Sequence, residues 1–296
     1  MKPPINLKHS FILLLLPLLV SCATLDIARW EAEWVELNEA MAVCRGKIAS
    51  PYISFVCVRV DMTNPDIAVI TNEPGPQAGT VLSTKVSSFV ANYNCTVGIN
   101  AGPFSPVNAT EGEDRHLSGI FISKGLLVSM PDPHYDALVF YKDAVRRPVI
   151  VSQSDITDTA SIETALGGFN KVLQDGIITV RNEAGAARHP RSACGISADG
   201  RFLYLLAIDG RQLSSFGASL YETGELLLRL GSDDGLNFDG GGSTCIALQD
   251  GDAVKILNSP IDNVFRPGSE RAVSSCLGIQ NASRPRGLFI QMPSPR

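Results

Sequence analysis

"LNFDGGGSTCIAL", Leu236 to Leu248, sets three consecutive glycines directly behind an apolar run that ends in Asp239. Glycine in a strand setting lowers stability, because it gives up backbone entropy and packs no side chain. The triplet therefore needs a reason. Three are physically available: a sharp bend between strands, a nest of backbone N–H groups that cradles phosphate or another anion, and the close approach of a sugar ring that any side chain would block. The nucleotide loops do not fit. No lysine follows the glycines as a Walker loop requires, a strand-like segment follows where a dinucleotide fingerprint needs a helix, and there is no Gly-x-Ser-x-Gly nucleophile elbow.

The flanks of this stretch read mainly as strands. Leu236–Asp239 is one, Cys245–Leu257 is a hairpin turning at Asp250-Gly251, and Ala193–Asp209 is another turning at Ala198-Asp199-Gly200, since Asp-Gly supplies the positive φ angles of such turns. Strand patterns recur at Ile53–Asp61, Ile67–Thr71, Ala137–Lys142, Ile177–Val180 and Ala272–Ile279, with a hairpin over Gly119–Ser129 around Lys124-Gly125. Helical spacing is read at Thr84–Tyr93, capped by Ser83 or Thr84, and around Ile162, Ala165, Leu166 and Phe169 behind Asp158. A third helix, Leu220–Leu230, stops at Gly231. The pattern predicts an α+β fold: a strand-rich mixed or antiparallel sheet core with about three helices, a single domain over 51–296. Within 22–50, Ile27, Trp30, Trp34, Leu37 and Met41 fall at near-helical spacing and read as a docking helix or a tether. The Pro-rich end, Pro285–Arg296, reads as a short strand and a tail.

The 296 residues carry a formal charge of −5, which gives no electrostatic footprint for nucleic acid. Residues 1–21 read as a leader: Lys2 and Lys8 precede a ten-residue apolar run, Phe11–Val20, too short to span a bilayer as a helix. The run ends in Leu19-Val20-Ser21-Cys22, which resembles the bacterial lipobox; Ser21-Cys22-Ala23 also fits an ordinary small-residue cleavage site. The lipobox reading makes Cys22 the lipidated N-terminus of an envelope lipoprotein, and Ala23 in place of Asp points to the outer membrane, facing periplasm or surface. Six cysteines remain, Cys44, Cys57, Cys95, Cys194, Cys245 and Cys276. That even count in an exported chain suggests disulfide bonds, the other reading being buried thiols. Zinc motifs are absent, and nothing in the spacing demands a cofactor, although a divalent cation bridging carboxylate and phosphate is compatible with it.

Several segments share the chemistry of the opening stretch. "GINAGPF" (Gly98–Phe104) sets Asn100 and Gly102 behind an apolar strand, and "RHPRSACGISADG" (Arg188–Gly200) begins a strand at Arg191. "AIDGRQLSSFGASLYE" (Ala207–Glu222) ends a strand at Asp209, passes Arg211 and reaches Glu222; "NSPIDN" and "ERAVSSCLGI" bring Asn258, Glu270 and Arg271. Together, in this order from about Asn94 to Ile279, they resemble the phosphodiester glycosidase family, whose animal member uncovers the mannose 6-phosphate marker of lysosomal enzymes. Two segments depart from the family pattern: Asn-Gly-Gly-Phe is here Asn100-Ala101-Gly102-Pro103-Phe104, and Arg-Thr-Ala-x-Gly is Arg191-Ser192-Ala193-Cys194-Gly195.

The resemblance implies hydrolysis of a sugar-1-phosphate diester at the anomeric carbon. A departing phosphomonoester is weakly basic, so holding its charge matters more than protonating it. Arginine suits that task, and Arg191 and Arg271 rank ahead of Arg211. An oxocarbenium-like transition state also needs a carboxylate, for which Asp239, Asp209 and Glu222 are the acids in the matched segments; Glu222 could equally cap its helix or pair with an arginine. Gly240, Gly241 and Gly242 would line the cleft with N–H groups, and Ser243, Thr244, Asn100 and Gly102 would add polar contacts or close backbone approach. His189 lies beside Arg191 and is either a site group or a locally bonded loop residue; His116 and His134 read as surface or structural. The rival class is a non-catalytic carbohydrate or sugar-phosphate binding lipoprotein that keeps the cleft without the chemistry.

Overall fold

The computed structural model of the chain describes residues 27, 29–108, 110–143, 147–262 and 266–282. The leader, Cys22 and the Pro-rich end all lie outside the described residues. With strands numbered in chain order, the largest sheet runs β1 (Val35–Asn38), β2 (Met41–Ala49), β3 (Tyr52–Asp61), β17 (Phe202–Ile208), β16 (Arg191–Ile196), β18 (Asp234–Asn237), β14 (Lys171–Gln174) and β15 (Ile177–Ile178). A second sheet runs β20 (Ala253–Ile256), β19 (Ile246–Asp250), β6 (Val97–Asn100), β21 (Cys276–Asn281) and β4 (Ile67–Ile70). A third runs β10 (Leu126–Ser129), β9 (Phe121–Ser123), β13 (Ile162–Gly167), β11 (Asp136–Tyr141) and β12 (Pro148–Ser152). A small one joins β5 (Thr80–Leu82), β8 (Asp114–Leu117) and β7 (Phe104–Ser105), and the pairings within all four sheets are antiparallel.

Period-two alternation builds the layers. Along β2, β3, β16 and β17 one set of side chains, including Val43, Val58, Val60, Cys194 and Leu205, packs with Val97, Ile99, Leu248 and Ile279 of the second sheet. The alternate set, including Cys44, Phe55, Cys57, Ala193 and Leu206, meets Leu226, Leu227 and Leu230 of a helix on the outer face. That helix, α2 (Leu220–Leu230), starts at a capping box between Ser219 and Glu222 and stops at Gly231, whose φ of 107° is the left-handed conformation that glycine alone adopts cheaply. Helix α1 (Val86–Asn92) covers the outer face of the second sheet with Val86, Phe89 and Val90. The result is helix, sheet, sheet, helix, with the main core between the sheets.

The structure is more strand-rich than expected, and among the described residues only α1 and α2 are bounded α-helices. The segment read as a helix behind Asp158 is strand β13, paired with β9 on one side and β11 on the other. Ile162, Thr164, Ala165, Leu166 and Gly167 are all buried, so both faces of this interior strand are covered and the alternation that marks a half-exposed strand is missing. The spacing within 22–50 is likewise not a helix beyond residue 30: β2 pairs with β3 from Met41–Val60 to Ala49–Tyr52, which makes it part of the large sheet. The hairpin turns at Lys124-Gly125 and Gly200 are present, with φ of 51°, 73° and 69°. No disulfide joins the six described cysteines, which are buried thiols. Burial pushes Cys44 up to about 11 and Cys95 to about 12. No helix among the described residues is long and apolar enough to cross a membrane.

Candidate active site

Register brings the predicted groups to one end of the sandwich. Arg191 pairs with Ile208 and Ala193 with Asn237, so Arg191, Asp209 and Asp239 all sit where their strands leave the large sheet together. Asn100 closes β6 of the second sheet at the same place. Its Nδ2 donates to the Asp239 carbonyl at 2.6 Å, and its Oδ1 accepts from the Ser192 hydroxyl at 2.6 Å and the Cys245 N–H at 3.1 Å. At 1% exposure this amide is a brace between the two sheets and does not face the cleft. The Asp239 N–H donates to the Ala101 carbonyl at 2.8 Å, and the Ala101 N–H to the Ser275 carbonyl at 2.9 Å. Alanine at 101 thus keeps this wall through its backbone. Gly102 is buried, with a Cβ there falling 2.8 Å from the Gly167 carbonyl oxygen, so its role is close packing.

The three glycines each answer a different demand. A Cβ on Gly240 would lie 2.7 Å from the Pro190 carbonyl oxygen. Gly241 has φ of +60°, and a Cβ there would sit 3.1 Å from the Arg211 guanidinium. On Gly242 a Cβ would overlap the Arg271 guanidinium. Of the N–H groups in this loop, those of Gly241, Ser243 and Thr244 donate to the Pro190, Gly240 and Gly241 carbonyls in a tight turn and so are already engaged within the protein. The bare backbone instead lets two arginines lie down on it.

Three guanidinium groups and one imidazole gather around this loop. Arg191 donates through Nε to the Ala218 carbonyl at 3.0 Å, and both burial and the neighbouring Arg211 lower its pKa. Burial, Arg191 and Arg211 lower that of His189 too. Arg211 is exposed, held at φ of +58°, and stacked over Gly241. Arg271 is anchored by Asp262, Nε to Oδ1 at 2.6 Å, and reaches the Ser243 hydroxyl at 3.5 Å. Its neighbour Glu270 accepts from the Ser87 N–H, the Ser87 hydroxyl and the Cys245 thiol, which pins the Arg271 segment to α1 and to the end of the glycine loop. Convergence of like charge costs energy in a folded protein, and an anion offsets that cost.

The acids divide into different kinds. Asp239 lies half-buried beneath the glycines; burial raises its pKa to about 6 against the Ser243 hydroxyl, the Arg271 charge and the Gly240 N–H. Asp209 is 8% exposed, and its Oδ1 accepts from the Ser259 N–H at 2.7 Å and from Asn258 Nδ2 at 3.2 Å. Burial raises its pKa, opposed by those two donors and by Arg45. Asn258 also donates to the Thr244 carbonyl at 3.2 Å, which joins the Asp209 wall to the glycine loop. Glu222 is 2% exposed and fully engaged: Oε2 accepts the Ser219 N–H at 2.8 Å, and Arg188 grips both oxygens at 3.1 and 2.6 Å. The structure therefore makes Glu222 a helix cap and ion-pair partner, not a group facing substrate.

Nothing in the sequence signals that Arg211 lies against Gly241, because a residue in the left-handed region two places after Asp209 carries no signature of where its side chain goes. Arg188 and Asp262, the partners of Glu222 and Arg271, gave no signal either. Among the described residues no group of three or more His, Cys, Asp and Glu gathers to hold a metal ion.

An antiparallel sandwich with three guanidinium groups gathered at one end beside a half-buried carboxylate is the class of site suited to an anion. The phosphodiester glycosidase family model matches residues 93–280, and the chain belongs to that family. Its fold is similar to the catalytic domain of zebrafish N-acetylglucosamine-1-phosphodiester alpha-N-acetylglucosaminidase auto-inhibited by its pro-peptide. That match has a TM-score of 0.61 and 19% identity over 84% of this chain and 87% of that one. A hypothetical protein from Synechocystis matches at a TM-score of 0.58 and 15% identity, over 84% of this chain and 64% of that chain. The SPbeta prophage-derived uncharacterized protein YomE of Bacillus subtilis (strain 168) is 37% identical over 92 residues, which is 31% of this chain and 13% of that protein.

Proposed function

We propose that the chain hydrolyses the glycosidic bond of a sugar-1-phosphate diester, with phosphate held by Arg191, Arg211 and Arg271 and the anomeric carbon served by Asp239. The observation that carries this reading is the loop Gly240–Gly242, whose lack of side chains seats two guanidinium groups directly beside a half-buried carboxylate. Arginine forks neutralise the departing phosphomonoester, and Asp239 is placed to act as nucleophile or to activate water. Asp209, enclosed by Asn258 and Ser259, shapes the opposite wall and holds the loop that leads to Arg271. The same reading puts the protein in the bacterial envelope, tethered by lipid on Cys22, supported by the Leu19-Val20-Ser21-Cys22 pattern and the basic, apolar leader.

The test is incubation of the purified chain with a panel of sugar-1-phosphate diesters, assayed for reducing sugar and phosphomonoester. Release by the wild type, lost in an Asp239→Asn, Arg191→Ala double variant, supports the proposal. Binding without release above that variant would instead identify a sugar-phosphate binding protein.

A further inference from the structure

The second sheet ends in a strand with one side open. β4 pairs with β21 alone, in the register Ile67–Asn281, Ala68–Gln280, Val69–Ile279 and Ile70–Gly278. The Ala282 N–H donates to the Asp66 carbonyl at 3.0 Å, one step further along the same register. Bonded and non-bonded positions alternate in an antiparallel pair, so Ala68 and Ile70 direct their N–H and carbonyl groups to β21, and Ile67 and Val69 direct theirs to the outer edge. The Ile279 carbonyl agrees, since it accepts from the Thr96 N–H on the side of β6. The Ile67 N–H bonds back to the Asn64 carbonyl at 3.2 Å, whereas among the described residues nothing takes up the N–H or the carbonyl of Val69.

Beside this edge lies a groove of about 870 Å³, where β4 and the turn before it face the ends of β11 and β13 in the third sheet. Met62, Pro65, Val69, Phe140, Tyr141 and Thr164 contribute to its walls. It lies away from the cleft: β21 runs from Cys276, paired with Asn100 at the site, to Asn281, paired with Ile67 at the groove. An open edge next to an apolar groove is a template for another strand, which proteins ordinarily cover or blunt with charge or proline. The sequence of β4, Ile67-Ala68-Val69-Ile70, has neither.

The chain supplies a strand sequence at that place. It leaves β21 at Ala282, bonded to the turn that walls the groove, and continues Ser283-Arg284-Pro285-Arg286-Gly287 into Leu288-Phe289-Ile290-Gln291-Met292, followed by Pro293. A short, mainly apolar run between glycine and proline is a strand signal, and the period of two sets Leu288, Ile290 and Met292 on one face. From Ala282 to Leu288 the chain reaches about 20 Å at full extension, more than the ~13 Å length of β4, so the run can turn back along the edge. We propose that residues 288–292 dock on β4 as an added edge strand, bonded to the backbone of Val69, with Leu288, Ile290 and Met292 filling the groove. The occupant is this chain's own segment, because a tethered strand that starts beside its acceptor competes at high effective concentration with any partner in solution. Main-chain bonds supply the affinity of such strand addition, and the alternate side chains in the groove supply its register.

Amide hydrogen exchange of the full chain tests this, with Leu288→Asp, Ile290→Asp as a double variant. The Val69 N–H is expected to be protected in the wild type and to exchange about tenfold faster in the double variant, the worth of one hydrogen bond. The N–H groups of Ala68 and Ile70 face β21 and are expected to keep their protection, which separates loss of docking from general loss of stability. Val69→Pro removes only an outward N–H, a change that edge strands tolerate. It is expected to strip protection from the amides of residues 288–292, and it keeps the test decisive should the double variant unfold. Fast exchange at Val69 in the wild type, unchanged protection there in the double variant, or a protected 288–292 segment in Val69→Pro overturns the proposal. Protection that appears only as protein concentration rises, with a dimer in sedimentation, also overturns it and gives the edge to a second copy.

Discussion

Gly242 shows how little room the cleft has for change. A methyl group there must displace the Arg271 guanidinium, so Gly242→Ala is expected to weaken sugar-phosphate binding by at least tenfold, about 1.4 kcal/mol, with little loss of stability; calorimetric titration beside thermal unfolding separates the two. Asp239 makes a prediction in pH. Its pKa is raised to about 6 from 3.8, so the folded state holds a proton that the unfolded chain releases, and this group's contribution to stability grows as pH falls from about 6 towards 4. Asp239→Asn is expected to raise the melting temperature at pH 7 and to flatten that part of the pH profile. Turnover that needs the ionised carboxylate is expected to fall as pH drops through about 6. His189 reports the charge around it: removing one of its two cationic neighbours with Arg191→Ala is expected to raise its pKa, which an NMR titration of the imidazole reads directly.

Helix α2 and strand β13 show opposite sides of what a sequence discloses. α2 announces its end through Gly231, its observed bounds are those read from the sequence, and the Ser219–Glu222 capping box that sets its start is local chemistry of the same kind. The same Glu222 that completes the cap was a candidate acid, because a chain of letters does not show that Arg188 reaches it. Glu222→Ala is expected to lower stability by about 2 kcal/mol, through the lost cap and the lost partner of Arg188, and to leave sugar-phosphate affinity within about twofold by the small reach of a screened charge. Urea unfolding and titration check it. In β13 and just beyond it, the spacing of Ile162, Ala165, Leu166 and Phe169 satisfies a helix equally well, since a strand whose two faces are both largely covered has no polar face to break the tie. Leu166→Ala is expected to cost about 2–5 kcal/mol, as for a fully buried leucine.

The sandwich as a whole explains why the order of the segments was more legible than their roles. Strand ends at 100, 191, 209 and 239 are separated by up to 139 positions, and only antiparallel register across two sheets brings them to one rim. Apolar runs stopping at Asp209 and Asp239 marked where chain leaves sheet; which side chains then turn into the cleft depended on partners such as Asp262 and Ser259, far away in sequence. The cysteines were ambiguous for a related reason, since an even count fits bridges and buried thiols alike. All six lie in the core, and Ellman's reagent is expected to leave them unmodified until the protein is denatured. Asn100 then sets a mechanical condition on the molecule. A single amide ties the carbonyl of Asp239, the hydroxyl of Ser192 and the N–H of Cys245 into one knot, so the two sheets cannot slide apart without dismantling the ground beneath the glycine loop. On the proposed function, ligands come and go over a fixed threshold, and heat is expected to extinguish binding and cooperative structure at one and the same temperature.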